Sequence, residues 1–272
     1  MSRGDLFIVG GNEDKTGAMP VLAKFVEISR ARPGPIGILT TATNYPEETG
    51  EEYSRVFEDI GAPGTVCFHI GTREEAEEDR LEEQLEQLAS LYITGGDQVR
   101  LTSILGGTAF YSALQKVWRK GLVIGGTSAG AAVMSRQMIM SSSVPGGGGQ
   151  LIVEMGAGFG FLEDVIIDQH FSQRARFTRL MNAIAHNPQI IGVGVDENTA
   201  IWVQEEGSFF EVLGEHTVTI FDGKKLTYVD VAIPHENKDI TISGVRLHSL
   251  AGGYRFDLQK RELMITQGRE QE

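Results

Sequence analysis

The sequence predicts an α/β fold: a doubly wound, mainly parallel sheet with flanking helices and additional C-terminal β strands. Three observations predict it. Short apolar runs of roughly four to six residues alternate with helix-patterned segments through the first half of the chain. Those runs close on small or hydroxyl residues, at Gly10-Gly11, Thr40-Thr41, Gly95-Gly96 and Gly125-Gly126. One run passes through the corner Gly126-x-Ser128-x-Gly130 into a small-residue segment.

Residues 6–9 form the first apolar run, and residues 21–29 follow with helical spacing. Residues 36–40 read as the second strand and 46–60 as an acidic amphipathic helix. Residues 65–70 read as the third strand, holding Cys67 as a buried residue and His69 inside it. Residues 73–89 read as one charged helix with Leu81, Leu85 and Leu88 on one side and a solvated opposite face. Residues 91–94 are the fourth strand; 99–119 read as helical with a break at Gly106-Gly107. The strand at 122–124 enters the corner, and 129–134 suits a helix packed closely against it.

Beyond the corner the texture changes. Residues 141–149, SSSVPGGGG, read as a mobile connection in preference to a flap. Residues 165–168 read as a strand, 172–185 as a helix, and 190–195 and 200–203 as strands. From residue 209 onward short β segments alternate with turns, and the polar tail after residue 265 frays. Residues 1–272 therefore read as a single α/β domain, with residues 207–265 a β-rich extension of it. Ligands bind at the carboxyl ends of strands in such sheets, so the strand-closing glycines and threonines should meet at one edge.

Gly126-x-Ser128-x-Gly130 is the pattern of a nucleophile elbow, which lifts a serine on a sharp strand-to-helix corner. Its flanking positions approach neighbouring backbone too closely for side chains. The helix start beyond Ser128 offers unpaired N–H groups to a developing oxyanion. The bland alternative is a glycine-rich turn whose serine caps the helix.

A net charge of −13 over 272 residues argues against sequence-independent nucleic-acid binding and against anionic membrane surfaces. The single cysteine excludes a disulfide framework within the chain. The opening MSRGDLFIVGG lacks a signal-peptide core, and no apolar run has membrane-spanning length. The expected location is cytoplasmic.

A serine nucleophile needs a base. Of six histidines, His170 follows the strand at 165–168 at its carboxyl end, and position selects it. Asp196 and Glu197 close another strand and are both candidates for orienting the imidazole. The order serine, histidine, acid differs from that of the α/β-hydrolases. The N–H of Ala129 is the natural first oxyanion donor, and the loop at Gly96 and Asp97 can present the second. No Cys/His metal cluster, no phosphate loop (GGNEDKTG at 10–17 lacks the spacing) and no dinucleotide fingerprint occur, so neither metal nor cofactor is expected.

TGGDQ (94–98), GGTSAGAAVM (125–134), DQHFSQRARFTRL (168–180) and GVGVDENTAIWV (192–203), in this order, resemble the cyanophycinases. The similarity runs from IVGGNEDK (8–15) to the C-terminal strands. The elbow alone also fits the related aspartyl dipeptidases, peptidase E; the 168–180 stretch favours cyanophycinase. The resemblance implies a fold like class I glutamine amidotransferases and a serine-type exopeptidase. Its implied substrate is cyanophycin, multi-L-arginyl-poly-L-aspartate, released as β-Asp-Arg dipeptides through an acyl-enzyme, by a homodimer. Carried over by motif, Ser128 is the nucleophile, His170 the base and Glu197, rather than Asp196, the orienting acid.

Such a substrate offers carboxylates, which suit arginine forks. Arg174, Arg176 and Arg179 are the candidates, although on a helix only Arg176 and Arg179 share a face. Asp168, Gln169 and Asn198 could accept its guanidinium, and Asp97 and Gln98 could line the nucleophile pocket. The rivals are an aspartyl dipeptidase for small Asp-X peptides and a catalytically retired amidotransferase-like binding protein. Glutamine amidotransfer itself usually places cysteine at the elbow, where this chain has Ser128.

Overall fold

The computed structural model describes residues 2–144, 151–231 and 240–265. The glycine run at 146–149, His235 and the tail after residue 265 lie outside the described residues.

The first half alternates strand and helix: β1 Leu6–Val9, α1 Pro20–Ser29, β2 Ile36–Leu39, α2 Pro46–Asp59, β3 Thr65–Phe68, α3 Arg80–Glu86 and β4 Ser90–Ile93. Then come α4 Gln98–Leu105, α5 Ala109–Arg119, β5 Val123–Thr127 and α6 Ala129–Ala132. The second half holds β6 Gln137–Ser143, β7 Ile152–Ala157, β8 Val165–Gln169, α7 Phe177–His186, β9 Ile191–Val195 and β10 Thr199–Gln204. It ends with β11 Phe209–Gly214, β12 Val218–Asp222, β13 Tyr228–Val229, β14 Ile242–Ser243, β15 Arg246–Leu250, β16 Arg255–Asp257 and β17 Glu262–Met264.

Among the described residues the main sheet has nine strands in the order β17-β16-β11-β10-β1-β5-β4-β2-β3. The strands from β1 to β3 in that order pair in parallel, and β10, β11, β16 and β17 extend the sheet antiparallel beyond β1. Side chains alternate along each strand, so a parallel strand covered on both faces must be apolar throughout. In β1, Leu6 and Ile8 enter one core cluster while Phe7 and Val9 enter another on the opposite face. In β4, Leu91 and Ile93 face the first and Tyr92 the second.

The sheet topology corrects one expectation. The strands that deliver His170 and Asp196-Glu197 do not join the main sheet. They pair in parallel with each other in a separate four-stranded sheet, β15-β12-β9-β8. The position beside β1 is taken by the antiparallel β10. The elbow helix α6 packs against both β5 and β8 and so bridges the sheets.

Four local readings are also corrected. The helix expected over 73–89 is a short 3-10 turn, Glu75–Glu77, followed by α3. Leu81 and Leu85 are the buried residues of α3, enough to anchor about two turns, and Glu75 turns back to accept the Gly71 N–H at 2.7 Å. The helix expected over 172–185 starts only at Phe177, because His170 and Ala175 have φ of 48° and 50° and break the helical path. Residues 141–143 belong to β6, paired with β7 across an irregularity between Ile139 and Ser141. Cys67 is only half-buried, since β3 is the edge strand, and His69 lies just past it with Nδ1 2.7 Å from Thr40 Oγ1. Among the described residues no helix is long and apolar enough to cross a membrane.

Candidate active site

Ser128 sits between β5 and α6 with φ 53° and ψ −110°, a conformation that costs a non-glycine residue about 1–3 kcal/mol. Close approach on both flanks fixes it. A Cβ on Gly126 would lie 2.6 Å from Gly130 O, and one on Gly130 would lie 2.2 Å from Ile93 O. The helix beyond is shorter than the expected 129–134, because the chain turns after Ala132 to deliver β6.

Ser128 Oγ is 2.9 Å from His170 Nε2, and His170 Nδ1 is 2.6 Å from Glu197 Oε1. With Nδ1–H donated to the carboxylate, Nε2 is left to accept the serine proton. Asp196, the other candidate, points away: its oxygens accept the Ser172 N–H at 2.9 Å and the Thr217 hydroxyl at 2.9 Å. It ties two turns together and does not contact the imidazole.

Burial lowers the His170 pKa, against the raising effect of the Glu197 hydrogen bond; the Arg174 charge lowers it further. Burial works to raise the Glu197 carboxyl, yet hydrogen bonds from His170 and Asn12 outweigh it and hold that carboxyl below its usual range. The histidine is thus kept neutral and the acid charged, the states a base and its orienting group require.

The β1 loop, read from sequence as a failed phosphate loop, contacts His170, Glu197 and the residue before the nucleophile. His170 N–H donates to Gly10 O at 2.7 Å. A Cβ on Gly11 would lie 2.3 Å from the imidazole Cε1, so only glycine lets the ring reach the serine. Asn12 Nδ2 donates to Glu197 Oε2 at 2.9 Å. Glu13 accepts the hydroxyl of Thr127, the residue before the nucleophile, at 2.6 Å. The sequence signals for these residues were the glycine pair closing β1 and the IVGGNEDK stretch at which the family resemblance begins. The loop also lines a cleft of about 560 Å³ beside Ser128, with Lys15, Glu52, Tyr53 and Gly95 among its walls.

The expected oxyanion donors divide. The Ala129 N–H opens α6 directly after Ser128. Gly95 abuts the nucleophile, its Cβ position 3.3 Å from Ser128 Cβ, and Gly96 follows it with φ 144°. Asp97 is a correction: its N–H donates to Ala42 O at 3.0 Å, and its carboxylate caps α4 through Val99 N–H at 2.7 Å.

The expected substrate contacts also divide. The Asp168 side chain is fully buried and takes Arg179 Nε at 2.7 Å and Arg176 Nη1 at 3.3 Å. Gln169 Oε1 accepts Arg176 Nη1 at 2.6 Å. These four residues partner one another inside the fold, because a buried carboxylate needs cations close by. Burial, with the Asp168 charge opposing it, brings the Arg176 guanidinium down to about 10. Gln98 Nε2 donates to the Ile139 carbonyl at 3.0 Å, and Asn198 Oδ1 accepts the Asp14 N–H at 2.9 Å. Arg174 alone of the three arginines is exposed, and its charge is felt by both His170 and Glu197.

The family model described as peptidase family S51 matches residues 7–210. The chain is 33% identical over 262 residues to a cyanophycinase of Synechococcus elongatus, covering 96% of this chain and 81% of the relative. It is 36% identical over 264 residues to a cyanophycinase of Nostoc sp., covering 95% and 87%. Among solved structures, a peptidase from an acI-B1 actinobacterium superposes with a TM-score of 0.69 at 21% identity, covering 94% of this chain and 97% of that one. A putative peptidase E protein from Listeria monocytogenes gives a TM-score of 0.54 at 18% identity, covering 79% and 98%. At these identities the two structures speak for the fold alone.

Proposed function

Since this chain belongs to peptidase family S51, we propose that it is a serine-type exopeptidase that hydrolyses cyanophycin to β-Asp-Arg dipeptides through an acyl-enzyme on Ser128. The observation that carries the reading is the unbroken relay from Ser128 Oγ through the imidazole to Glu197, at 2.9 and 2.6 Å. Ser128 Oγ attacks the backbone carbonyl of an aspartyl unit, and His170 Nε2 takes its proton. Glu197 stabilises the imidazolium. The imidazolium returns the proton to the departing amine, which leaves as the C–N bond breaks. Water, deprotonated by the same histidine, then opens the ester and restores the serine. The Ala129 and Gly96 N–H groups stabilise the oxyanion by about 3 kcal/mol each. Arg174 is the arginine free to meet a substrate carboxylate.

The test is incubation with purified cyanophycin beside a panel of Asp-X dipeptides, with mass analysis of products. Release of β-Asp-Arg from the polymer supports the reading. Turnover of the dipeptides with the polymer untouched would make the chain an aspartyl dipeptidase instead. In this reading residues 1–272 act as one domain, supported by β11, β16 and β17 completing the main sheet. A homodimeric, cytoplasmic enzyme is part of the same proposal, and the homodimer rests on the family resemblance.

The pH dependence follows from the site's charges. A base works deprotonated, so kcat/KM falls as pH drops through the His170 pKa. Because burial lowers that pKa, the acid limb should lie below the ordinary imidazole value of about 6.5. Glu197 raises the His170 pKa and Arg174 lowers it. Glu197→Gln should therefore move the limb to lower pH and Arg174→Met to higher pH, in profiles of kcat/KM. Movement of both in one direction would contradict this electrostatic account.

A further inference from the structure

Glu13 is 5% exposed, and its carboxylate is ringed by hydroxyl donors from three elements. Tyr53 of α2 donates to Oε1 at 2.5 Å and Tyr92 of β4 to the same oxygen at 3.0 Å. Thr127, the last residue of β5, donates to Oε2 at 2.6 Å. Burial first, and the Glu13 charge after it, push both phenols well above their usual range, so both remain protonated donors.

This cluster bears on the nucleophile through Thr127. Ser128 is held at φ 53°, and a strained residue persists only where its surroundings over-determine it. On the helix side the restraint is the contact of Gly130 with the Ile93 carbonyl. On the strand side, Ser128 N–H donates to Val9 O at 3.2 Å. The third side is the cleft that Glu13, Thr127 and Ser128 line. There the Thr127 side chain is tied down, through Glu13, to two aromatic hydroxyls of the opposite core face.

We propose that Glu13 is a positioning residue for the reaction, fixing the Thr127-Ser128 corner through its hydrogen bonds to Thr127, Tyr53 and Tyr92. It does not touch the reacting atoms. It restricts the serine to the orientation in which Oγ meets the imidazole, and positioning errors of an ångström cost on the order of 100-fold in rate. The inference rests on the assignment of Ser128 as nucleophile.

The test uses Thr127→Val, Glu13→Ala, Glu13→Gln and the double variant Glu13→Ala/Thr127→Val in the full chain. Each is checked for folding by thermal unfolding. Two rates are read: kcat and KM on cyanophycin, and the rate at which a fluorophosphonate modifies Ser128. Thr127→Val removes one hydroxyl at nearly constant volume, so it keeps the test usable should Glu13→Ala unfold. Expected are losses of about 10- to 100-fold in kcat, with KM within about threefold. Phosphonylation slows in parallel. The double variant should be no worse than the poorer single one, since both break one linkage. Glu13→Gln, which keeps a polar partner for the three hydroxyls, should recover part of the loss. Wild-type kcat in folded Thr127→Val, losses that multiply in the double variant, or a change confined to KM would each overturn the proposal. If the wild type ignores cyanophycin yet the variants are phosphonylated slowly, the substrate assignment fails and the positioning role stands.

Discussion

Ser128→Ala should lower kcat on the polymer by on the order of 10⁵-fold or more, leaving only what binding and backbone donors provide. The side chain removed is the one whose Oγ lies 2.9 Å from His170 Nε2. Alanine cannot form the ester, and the imidazole then has no alkoxide to generate. His170→Ala should fall to a similar level, and the double variant no further, because the two groups act as a unit. Single-turnover and steady-state rates, with circular dichroism to confirm the fold, measure this. A loss smaller than about tenfold would place the chemistry elsewhere.

Asp168→Asn should destabilise the protein by roughly 3–5 kcal/mol, the cost of leaving buried cations without their counter-charge. Asp168 has a fully buried side chain, while those of Arg176 and Arg179 are 13% and 12% exposed. Asparagine keeps the volume but removes the charge both guanidiniums face. At about 2–4 °C per kcal/mol for a chain of this size class, Tm should fall by roughly 10 °C. Thermal and urea unfolding read it directly. The same experiment separates two accounts of the arginines. If Tm is unchanged and KM rises, Arg176 and Arg179 are substrate ligands, as their sequence suggested. If Tm falls, they hold the 168–179 segment in shape and carry His170 with it.

The two cases show where legibility ended. The strand–helix alternation and the elbow could be read because their signals are local: apolar runs, glycines at fixed offsets, a serine between them. His170 could be placed because it closes an apolar strand; strand position narrowed the acid to Asp196 or Glu197, and the family resemblance chose Glu197. That β8 and β9 form their own sheet could not be read, since a buried strand has the same composition whichever neighbours it pairs with. The roles of Arg176 and Arg179 were hidden by the irregular stretch after His170, where two positive-φ residues replace the helix that periodicity suggested. Glu13 was the least visible of all. It is one acidic residue in a polar loop, and its partners lie 40, 79 and 114 positions away. Only the folded chain brings them together.

The most direct measurement of the central claim is phosphonylation of the wild-type enzyme with peptide mapping, followed alongside residual activity on cyanophycin. A single adduct on Ser128, growing in step with the loss of activity and absent from Ser128→Ala, is the predicted result. Full modification of Ser128 with activity retained, or inactivation with Ser128 unmodified, would contradict it.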